Sequence, residues 1–345
     1  MSRLLPSVGW LVSNVRTNDH SELFETELAS SRMRAGVCIQ GLNEAGIPVL
    51  PLNFREPWCQ PSLVFMAKFV PDSNTGQFLD DGGTRWGIWL EKIKALHARG
   101  CPLVVDYTDH HFSNPNVVGD FYRTIEPMVS GMVVPSTKMK SHLDGRWNGP
   151  LEIIPEPVEV PIQAVRQYTG GKKVALWFGH NSNLPYLFDF MAKEMHDAAP
   201  DRLIILTNHA AQQVVDAASA RGPKNMSISL GKWSVDAMLK AAAQAHYAVI
   251  PSNVADERKN GASPGRLLTS LAMGLPVVAT PLESYLPFSN YFAPIGSPAA
   301  TALMANPGAY TDQIKAAQLQ IQSQFTVPAI GAQWAAYARR LIGPS

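Results

Sequence analysis

Residues 259–284 read KNGASPGRLLTSLAMGLPVVATPLES, and this pattern predicts a loop, a helix and a buried strand in succession. Small residues form the loop, Pro264 suits the first turn of a helix, and an apolar helical face then continues as far as Gly274. The apolar run over 275–280 predicts a buried strand. This order of elements is typical of an α/β domain in which helices cover a sheet.

The start of the helix in this stretch is a candidate anion site. The first turn of a helix presents backbone N–H groups and a partial positive charge of about +0.5. Ser263 and Gly265 lie at that end, and Lys259 and Arg266 flank it, so a charge-assisted contact to a phosphate or carboxylate is available. The alternative is an ordinary loop and helix with two solvated cations, and the residues alone favour neither interpretation.

The composition excludes several classes of partner. The chain has 345 residues, with 29 Lys and Arg against 28 Asp and Glu, and it has no long charge run. A polymeric nucleic acid or a strongly anionic membrane is therefore not expected to bind.

Cys38, Cys59 and Cys101 are far apart and form no C-x-x-C pair, which argues against a disulfide framework or a structural zinc site. No apolar run of about 20 residues is present, so we expect a cytoplasmic protein whose membrane contact, if any, is peripheral and at the inner face.

The length and the order of patterns predict two domains. Short apolar strands alternate with helices in each half, and a proline-rich linker near 151–171 separates the halves. We predict two Rossmann-like α/β domains with a central ligand cleft, an N-terminal domain over 1–165 and a C-terminal domain over 166–327. The last amphipathic helix, 328–341, is expected to pack back on the first domain.

The best catalytic candidates of the first half follow the predicted strand 102–106. Here the sequence YTDHH places Asp109 and His110 at the carboxyl end of a strand, the edge where open α/β sheets bind ligands. A carboxylate beside an imidazole suits general acid–base work or hydrogen bonding to a hydroxyl group. We expect either Asp109 or His110 to be catalytic, not both. A polar cap is the other interpretation, and joint metal ligation is disfavoured because adjacent side chains point in different directions.

Other candidate residues also lie next to predicted strands or helix starts. The turn after the strand 172–178 contains His180, Asn181 and Asn183 and forms a second candidate phosphate site, although a hydrogen-bonded turn histidine is an equal alternative. The loop after the first strand contains Asn14 and Arg16. We predict that these two residues and Arg34, near the start of the helix 30–45, contact an acceptor or line the cleft.

One segment resembles a known family of folds. The run AMGLPVVA over 272–279 is similar to the donor-binding segment of GT-B glycosyltransferases, and the order VVPS, IIP and VE over 133–159 is similar to the exit from their first domain. In the retaining families of this fold the donor segment also carries two glutamates eight positions apart. The matching positions here are Gly261 and Thr269, so the paired glutamates are replaced, and the cluster of Lys259, Ser263 and Arg266 becomes the expected donor-binding feature.

The resemblance implies a metal-independent glycosyltransferase of the hexosyltransferase type. It would move a sugar from a nucleotide-sugar donor to a saccharide or another small acceptor, without a cofactor, and hold the leaving phosphate at Lys259, Arg266 and the helix after Pro264. The stereochemical outcome, inverting or retaining, stays open. A sugar-nucleotide epimerase or hydrolase is the alternative enzyme, and a non-catalytic relative that binds a sugar nucleotide or glycan is the third interpretation. A dehydrogenase or a kinase is disfavoured, because no G-x-G-x-x-G follows a first strand and no P-loop is present.

Overall fold

The computed structural model describes residues 7–12, 23–24, 29–52, 61–69, 79–80, 83–195 and 198–343. These residues form two compact units. Unit 1 contains the described residues of Met1–Pro157, Gly261–Ser263 and Phe325–Ser345, and unit 2 contains those of Val158–Asn260 and Pro264–Gln324.

Unit 1 is built on a six-stranded, entirely parallel sheet in the order β2-β1-β3-β6-β7-β8. The strands of this unit are β1 (Val8–Leu11), β2 (Val49–Leu52), β3 (Leu63–Met66), β4 (Leu79–Asp80), β5 (Gly83–Thr84), β6 (Leu103–Asp106), β7 (Gly131–Val134) and β8 (Leu151–Ile153). The short β4 and β5 form a separate antiparallel pair. The helices that precede the linker are α1 (Val37–Glu44), which continues a π-helical segment over Ser30–Gly36, α2 (Arg85–Ala98), α3 (Val117–Ile125) and α4 (Thr137–Ser141).

Both faces of this sheet are buried, which explains why its strands are apolar without a polar alternation. Along β3, Phe65 faces one core cluster, whereas Val64 and Met66 face the other. The first cluster is completed by α1 and by the last helix of the chain, and the second by α2 and α3. Parallel strands covered on both faces are the expected arrangement of a Rossmann-like unit.

Unit 2 repeats this architecture with a second parallel sheet in the order β11-β10-β9-β12-β13-β14. Its strands are β9 (Val174–Phe178), β10 (Arg202–Thr207), β11 (Ser227–Lys232), β12 (Tyr247–Ile250), β13 (Val277–Ala279) and β14 (Ala293–Pro294). Its helices are α5 (Leu184–Lys193), α6 (Gln212–Arg221), α7 (Val235–Ala242), α8 (Glu257–Asn260), α9 (Gly265–Ala272), α10 (Pro298–Ala305) and α11 (Thr311–Gln324). The loop, helix and strand of the opening stretch are therefore present, as α9 and β13.

The last helix, α12 (Val327–Ile342), belongs to unit 1 and crosses α1 at a pair of glycines. A Cβ atom on Gly41 would lie 2.2 Å from the Cα atom of Gly331, so only glycine permits this approach of the two backbones. Trp334 then reaches the sheet, where its ring centroid lies 5.4 Å from that of Trp10. The helix α12 thus supplies part of the core of unit 1, although the strands of that unit's sheet end at Ile153, far before it in the sequence.

Two further segments contain short regular elements. The 3₁₀ turns of Glu283–Tyr291 are interrupted at Phe288 beside Pro287. The strands β4 and β5 have two residues each. Elements this short have too few residues for a periodic pattern, so the sequence does not predict them. The described part of the chain has no helix with the length and apolarity that a bilayer crossing requires.

Candidate functional site

The sharpest candidate for anion binding in unit 2 is Arg266, in the first turn of α9. Its Nη1 atom is buried and has no hydrogen-bond partner among the described residues. A Cβ atom on Gly179, the residue that follows β9, would lie 3.2 Å from that Nη1 atom. The guanidinium therefore reaches the turn at the carboxyl end of β9, and the absence of a side chain at Gly179 permits this close approach.

A buried cationic donor without a protein partner can be satisfied by an anionic ligand. Leaving such a group unsatisfied costs about 1–3 kcal/mol, and more when the group is charged. An anion at the end of β9 would satisfy Nη1 of Arg266 through a charge-assisted hydrogen bond. Arg266 lies in the first turn of α9, so the positive end of the helix dipole also favours an anion there.

The turn after β9 is held by its own side chains. Nδ1 of His180 accepts a hydrogen bond from the backbone N–H of Ser182 at 3.2 Å, so His180 caps the 3₁₀ turn Asn181–Asn183. The backbone N–H of Asn181 donates to Oδ1 of Asn208 at 2.8 Å. Asn183 is buried, and its Oδ1 atom has no partner among the described residues. These hydrogen bonds hold the turn at the end of β9, and Oδ1 of Asn183 is an acceptor there that the described residues leave unsatisfied.

The other residues predicted to hold a phosphate fall into both units. Gly265 is buried and begins α9 directly beside Arg266, and Lys259 is half-buried on α8, both in unit 2. Ser263 belongs to unit 1, where its side chain hydrogen-bonds to Glu156. Burial raises the pKa of the Glu156 carboxyl, while Arg34 and the bond from Ser263 act in the opposite direction. Gly265 and Arg266 are thus brought together, and Ser263 has a carboxylate partner of its own.

Gly261, which we predicted to match the position of a glutamate in the retaining GT-B families, is tightly packed. A Cβ atom on Gly261 would lie 3.1 Å from Cε of Met139 and 3.2 Å from Cδ2 of His142, and the Gly261 carbonyl accepts a hydrogen bond from Oγ of Ser136 at 2.7 Å. All four residues belong to unit 1. A larger residue at 261 would have to displace these side chains.

The catalytic candidates Asp109 and His110 lie at the carboxyl end of β6 in unit 1. Asp109 forms an ion pair with Lys68, which follows β3, and both side chains are partly exposed, at 22% and 28%. His110 is buried, and its Nδ1 atom lies 3.3 Å from Oη of Tyr107. The imidazole of His142 stacks on that of His110, with ring centroids 4.7 Å apart and planes inclined at 20°. The neighbours therefore differ: Asp109 has a cationic partner, whereas His110 lies between a phenol and a second imidazole.

Arg34, predicted to contact an acceptor or line a cleft, lies in the interior of unit 1 with none of its surface exposed. Its guanidinium pairs with the buried carboxylate of Asp106, with Nε 3.0 Å from Oδ2, and Nη1 donates to the carbonyl of Ile154 at 2.6 Å. Trp334 of α12 covers the guanidinium at 5.2 Å. Arg34 therefore joins the start of the first helix, the end of β6 and the linker. The other two residues predicted for the acceptor, Asn14 and Arg16, lie outside the described residues.

Sequence reasoning missed several residues that the structure brings into these sites. Lys68, Tyr107 and Gly179 each follow a buried strand, so their positions at a sheet edge were visible in the sequence. Their partners were not visible, because neither the strand order that brings β3 beside β6 nor the approach of Arg266 to Gly179 has a local signal. The usable signal was the rule that polar and glycine residues after parallel strands meet at one edge.

No protein-family model and no curated protein sequence matches this chain. Solved structures do match. The lipopolysaccharide outer core galactosyltransferase WaaB, in its apo form, superposes with a TM-score of 0.59 at 12% identity over 96% of this chain and 99% of that chain. T4 phage BGT in complex with its UDP-glucose substrate gives 0.58 at 12% identity over 98% of this chain and 100% of that chain.

A third match has a different activity in its name. A putative UDP-N-acetylglucosamine 2-epimerase from Listeria monocytogenes superposes with a TM-score of 0.50 at 12% identity over 96% of this chain and 94% of that chain. At such identities the similarity concerns the fold. It confirms the fold class predicted from the sequence, since two Rossmann-like units, each on a parallel six-stranded sheet, make this chain a protein of the GT-B fold.

Proposed function

We propose that this protein is a glycosyltransferase that moves a sugar from a nucleotide-activated donor to a saccharide or another small acceptor. The observation that carries the proposal is the buried, unpartnered Nη1 atom of Arg266 beside Gly179. It supplies a donor for a phosphate oxygen at the carboxyl edge of a Rossmann-like sheet, where such sheets bind nucleotides. The GT-B fold of known UDP-sugar enzymes supports the same conclusion by analogy.

Sugar transfer needs the charge on the leaving diphosphate to be neutralised and the acceptor hydroxyl to be placed in line. Arg266, Lys259 and the positive end of α9 would meet the first need without a divalent metal ion. Asp109 and His110 are the groups of unit 1 that we assign to the sugar or to the acceptor. A general base, required if the reaction inverts the anomeric centre, would come from this pair.

Titration calorimetry with UDP, GDP, ADP and CMP tests the proposal, followed by the sugar conjugates of whichever nucleotide binds. We expect one nucleoside diphosphate to bind selectively and Arg266→Ala to weaken its binding about 10- to 150-fold. That range corresponds to the loss of a charge-assisted hydrogen bond of about 1.5–3 kcal/mol. Chelation of divalent metals should leave this affinity unchanged.

Arg202→Ala is the matched control. Arg202 begins β10 and therefore lies at the amino ends of the strands, whereas the proposed site lies at their carboxyl ends. Its Nη2 atom donates to the exposed Gln244 at 2.9 Å. We expect this variant to bind the nucleotide as the wild type does. Equal affinities of Arg266→Ala and wild type, in a folded protein, would refute the assignment of Arg266, and binding of none of the nucleotides would favour the non-catalytic interpretation.

A sugar-nucleotide epimerase or hydrolase is the second candidate, because the putative UDP-N-acetylglucosamine 2-epimerase shares the fold. The two activities separate in a reaction without acceptor. A transferase should leave most of the donor intact over a time in which an epimerase or hydrolase converts it to the epimer or the free sugar. Proton NMR of the anomeric region distinguishes these products.

A further inference from the structure

Tyr107 makes three polar contacts with the loop that follows β6. Its Oη atom accepts the backbone N–H of His111 at 2.6 Å and that of Phe112 at 2.9 Å, and it lies 3.3 Å from Nδ1 of His110. The side chain is fully buried, and burial raises the pKa of Tyr107 to about 12. The phenol therefore keeps its proton throughout the neutral range.

The three contacts together determine the direction of the bond to His110. A phenol oxygen offers one proton to donate and two lone pairs to accept with. Two backbone N–H groups occupy the accepting capacity of Oη, so the contact with His110 uses the phenol proton. Nδ1 of His110 is then the acceptor, and the single proton of the neutral imidazole lies on Nε2.

We infer that Tyr107 is a positioning residue that fixes His110 in its Nε2–H tautomer. The imidazole of His142 stacks on the ring of His110, with ring centroids 4.7 Å apart, and Nδ1 of His110 keeps its contact with Tyr107. The backbone N–H groups of His111 and Phe112 hold the phenol oxygen of Tyr107 at this loop, beside Nδ1 of His110.

The tautomer determines what His110 does in the proposed reaction, and this step rests on the proposed transferase function. An Nε2 atom that already carries a proton donates a hydrogen bond to an oxygen atom of the donor sugar or acceptor. It does not accept a proton from a hydroxyl group. If the reaction requires a general base in unit 1, that role falls to Asp109, whose carboxylate pairs with Lys68.

Nitrogen-15 NMR of the histidine rings tests the inference on the wild-type protein at pH 7. The chemical shift of a ring nitrogen reports whether it carries a proton, and the His110 signals can be assigned by their loss from the spectrum of His110→Asn. We expect an unprotonated Nδ1 and a protonated Nε2. A protonated Nδ1, in either a neutral or a doubly protonated ring, would overturn the inference without any need for a Tyr107 variant.

Tyr107→Phe tests the role of the phenol itself. Removing the O–H group should shift the His110 signals toward a mixture of tautomers. Tyr122→Phe is the matched control, because Oη of Tyr122 also accepts a backbone N–H, from Phe69 at 3.1 Å, and is lost in the same way. The control should leave the tautomer of His110 unchanged.

The outcomes separate this inference from the proposed function. If the His110 spectrum is the same in Tyr107→Phe and wild type, Tyr107 does not set the tautomer. If the spectra behave as expected but no sugar nucleotide is bound or converted, the transferase proposal fails while the assignment of Tyr107 and His110 stands.

Discussion

The two sheets differ in the environment of an arginine near the carboxyl edge. In unit 1, Arg34 is buried, pairs with Asp106 and donates to the carbonyl of Ile154. In unit 2, Arg266 is half-buried and keeps a buried Nη1 atom without a partner among the described residues. The protein itself satisfies the first arginine, whereas the second keeps a cationic donor that we assign to a ligand. The difference shows why position at a sheet edge alone does not identify a binding residue.

The largest expected effect on stability comes from removing the charge of the carboxylate that pairs with Arg34. Asp106→Asn keeps the shape of the side chain and removes its charge, so it deprives the buried Arg34 guanidinium of the carboxylate that pairs with it. We expect the free energy of unfolding to fall by about 3–5 kcal/mol, as measured by denaturant unfolding of the purified protein. Glu152→Gln is the control, since its pair with Arg340 is exposed and should contribute at most about 1 kcal/mol. A loss for Asp106→Asn no greater than that of the control would remove the contrast between the two edges.

A smaller effect is expected where unit 2 leaves room beside Arg266. Gly179→Ala places a Cβ atom 3.2 Å from Nη1 of Arg266 and 3.3 Å from the ring of Trp177. We expect this crowding to weaken nucleotide binding by about 1 kcal/mol, or about fivefold, in the calorimetric assay. Gly231→Ala meets only a side-chain end, Cδ2 of Leu206 at 3.0 Å, and should bind as the wild type does. Unchanged affinity in Gly179→Ala would mean that the ligand does not use this side of the guanidinium.

The smallest effect concerns Glu156, the second carboxylate near Arg34. Burial raises its pKa in the folded protein, so the folded state holds the proton more tightly than the unfolded state does. Stability from this group is therefore complete below the ordinary pKa of about 4.3 and is lost as the pH rises through the folded-state value. The melting temperature of wild type minus that of Glu156→Gln should fall between pH 4 and pH 7. For the exposed Glu91→Gln, the same difference in melting temperature should not fall over this pH range. A difference that rises with pH for Glu156→Gln would contradict the prediction.

The sequence predicted the fold well where a pattern is local. The turn, helix and strand of residues 259–284 and the amphipathic last helix follow from periodicity, Pro264 and Gly274, and the structure contains them as α9, β13 and α12. Continuous apolar runs also predict parallel strands that are buried on both faces, as in β9 and β12. These features depend on neighbours within a few residues, which a sequence displays directly.

The candidate sites were less predictable, because a partner decides what each charged residue does. Arg34, near a helix start, was predicted to contact an acceptor or line the cleft, yet its partner Asp106 lies 72 residues away and appeared in the sequence only as the end of a strand. Arg266 was also predicted from its place at a helix start. Only the structure shows that its Nη1 atom lies beside Gly179 and is buried without a partner among the described residues.

The crossing of α12 over α1 at Gly41 and Gly331 has a consequence for synthesis of the chain. Ile330, Trp334 and Ala338 belong to the same core cluster as Val8 and Trp10, so unit 1 lacks part of its interior until residues 327–342 have left the ribosome. The cluster of described residues around Trp177 in unit 2 contains no residue of that helix. We therefore expect this core of unit 2 to form first during translation, before α12 is available to complete the core of unit 1.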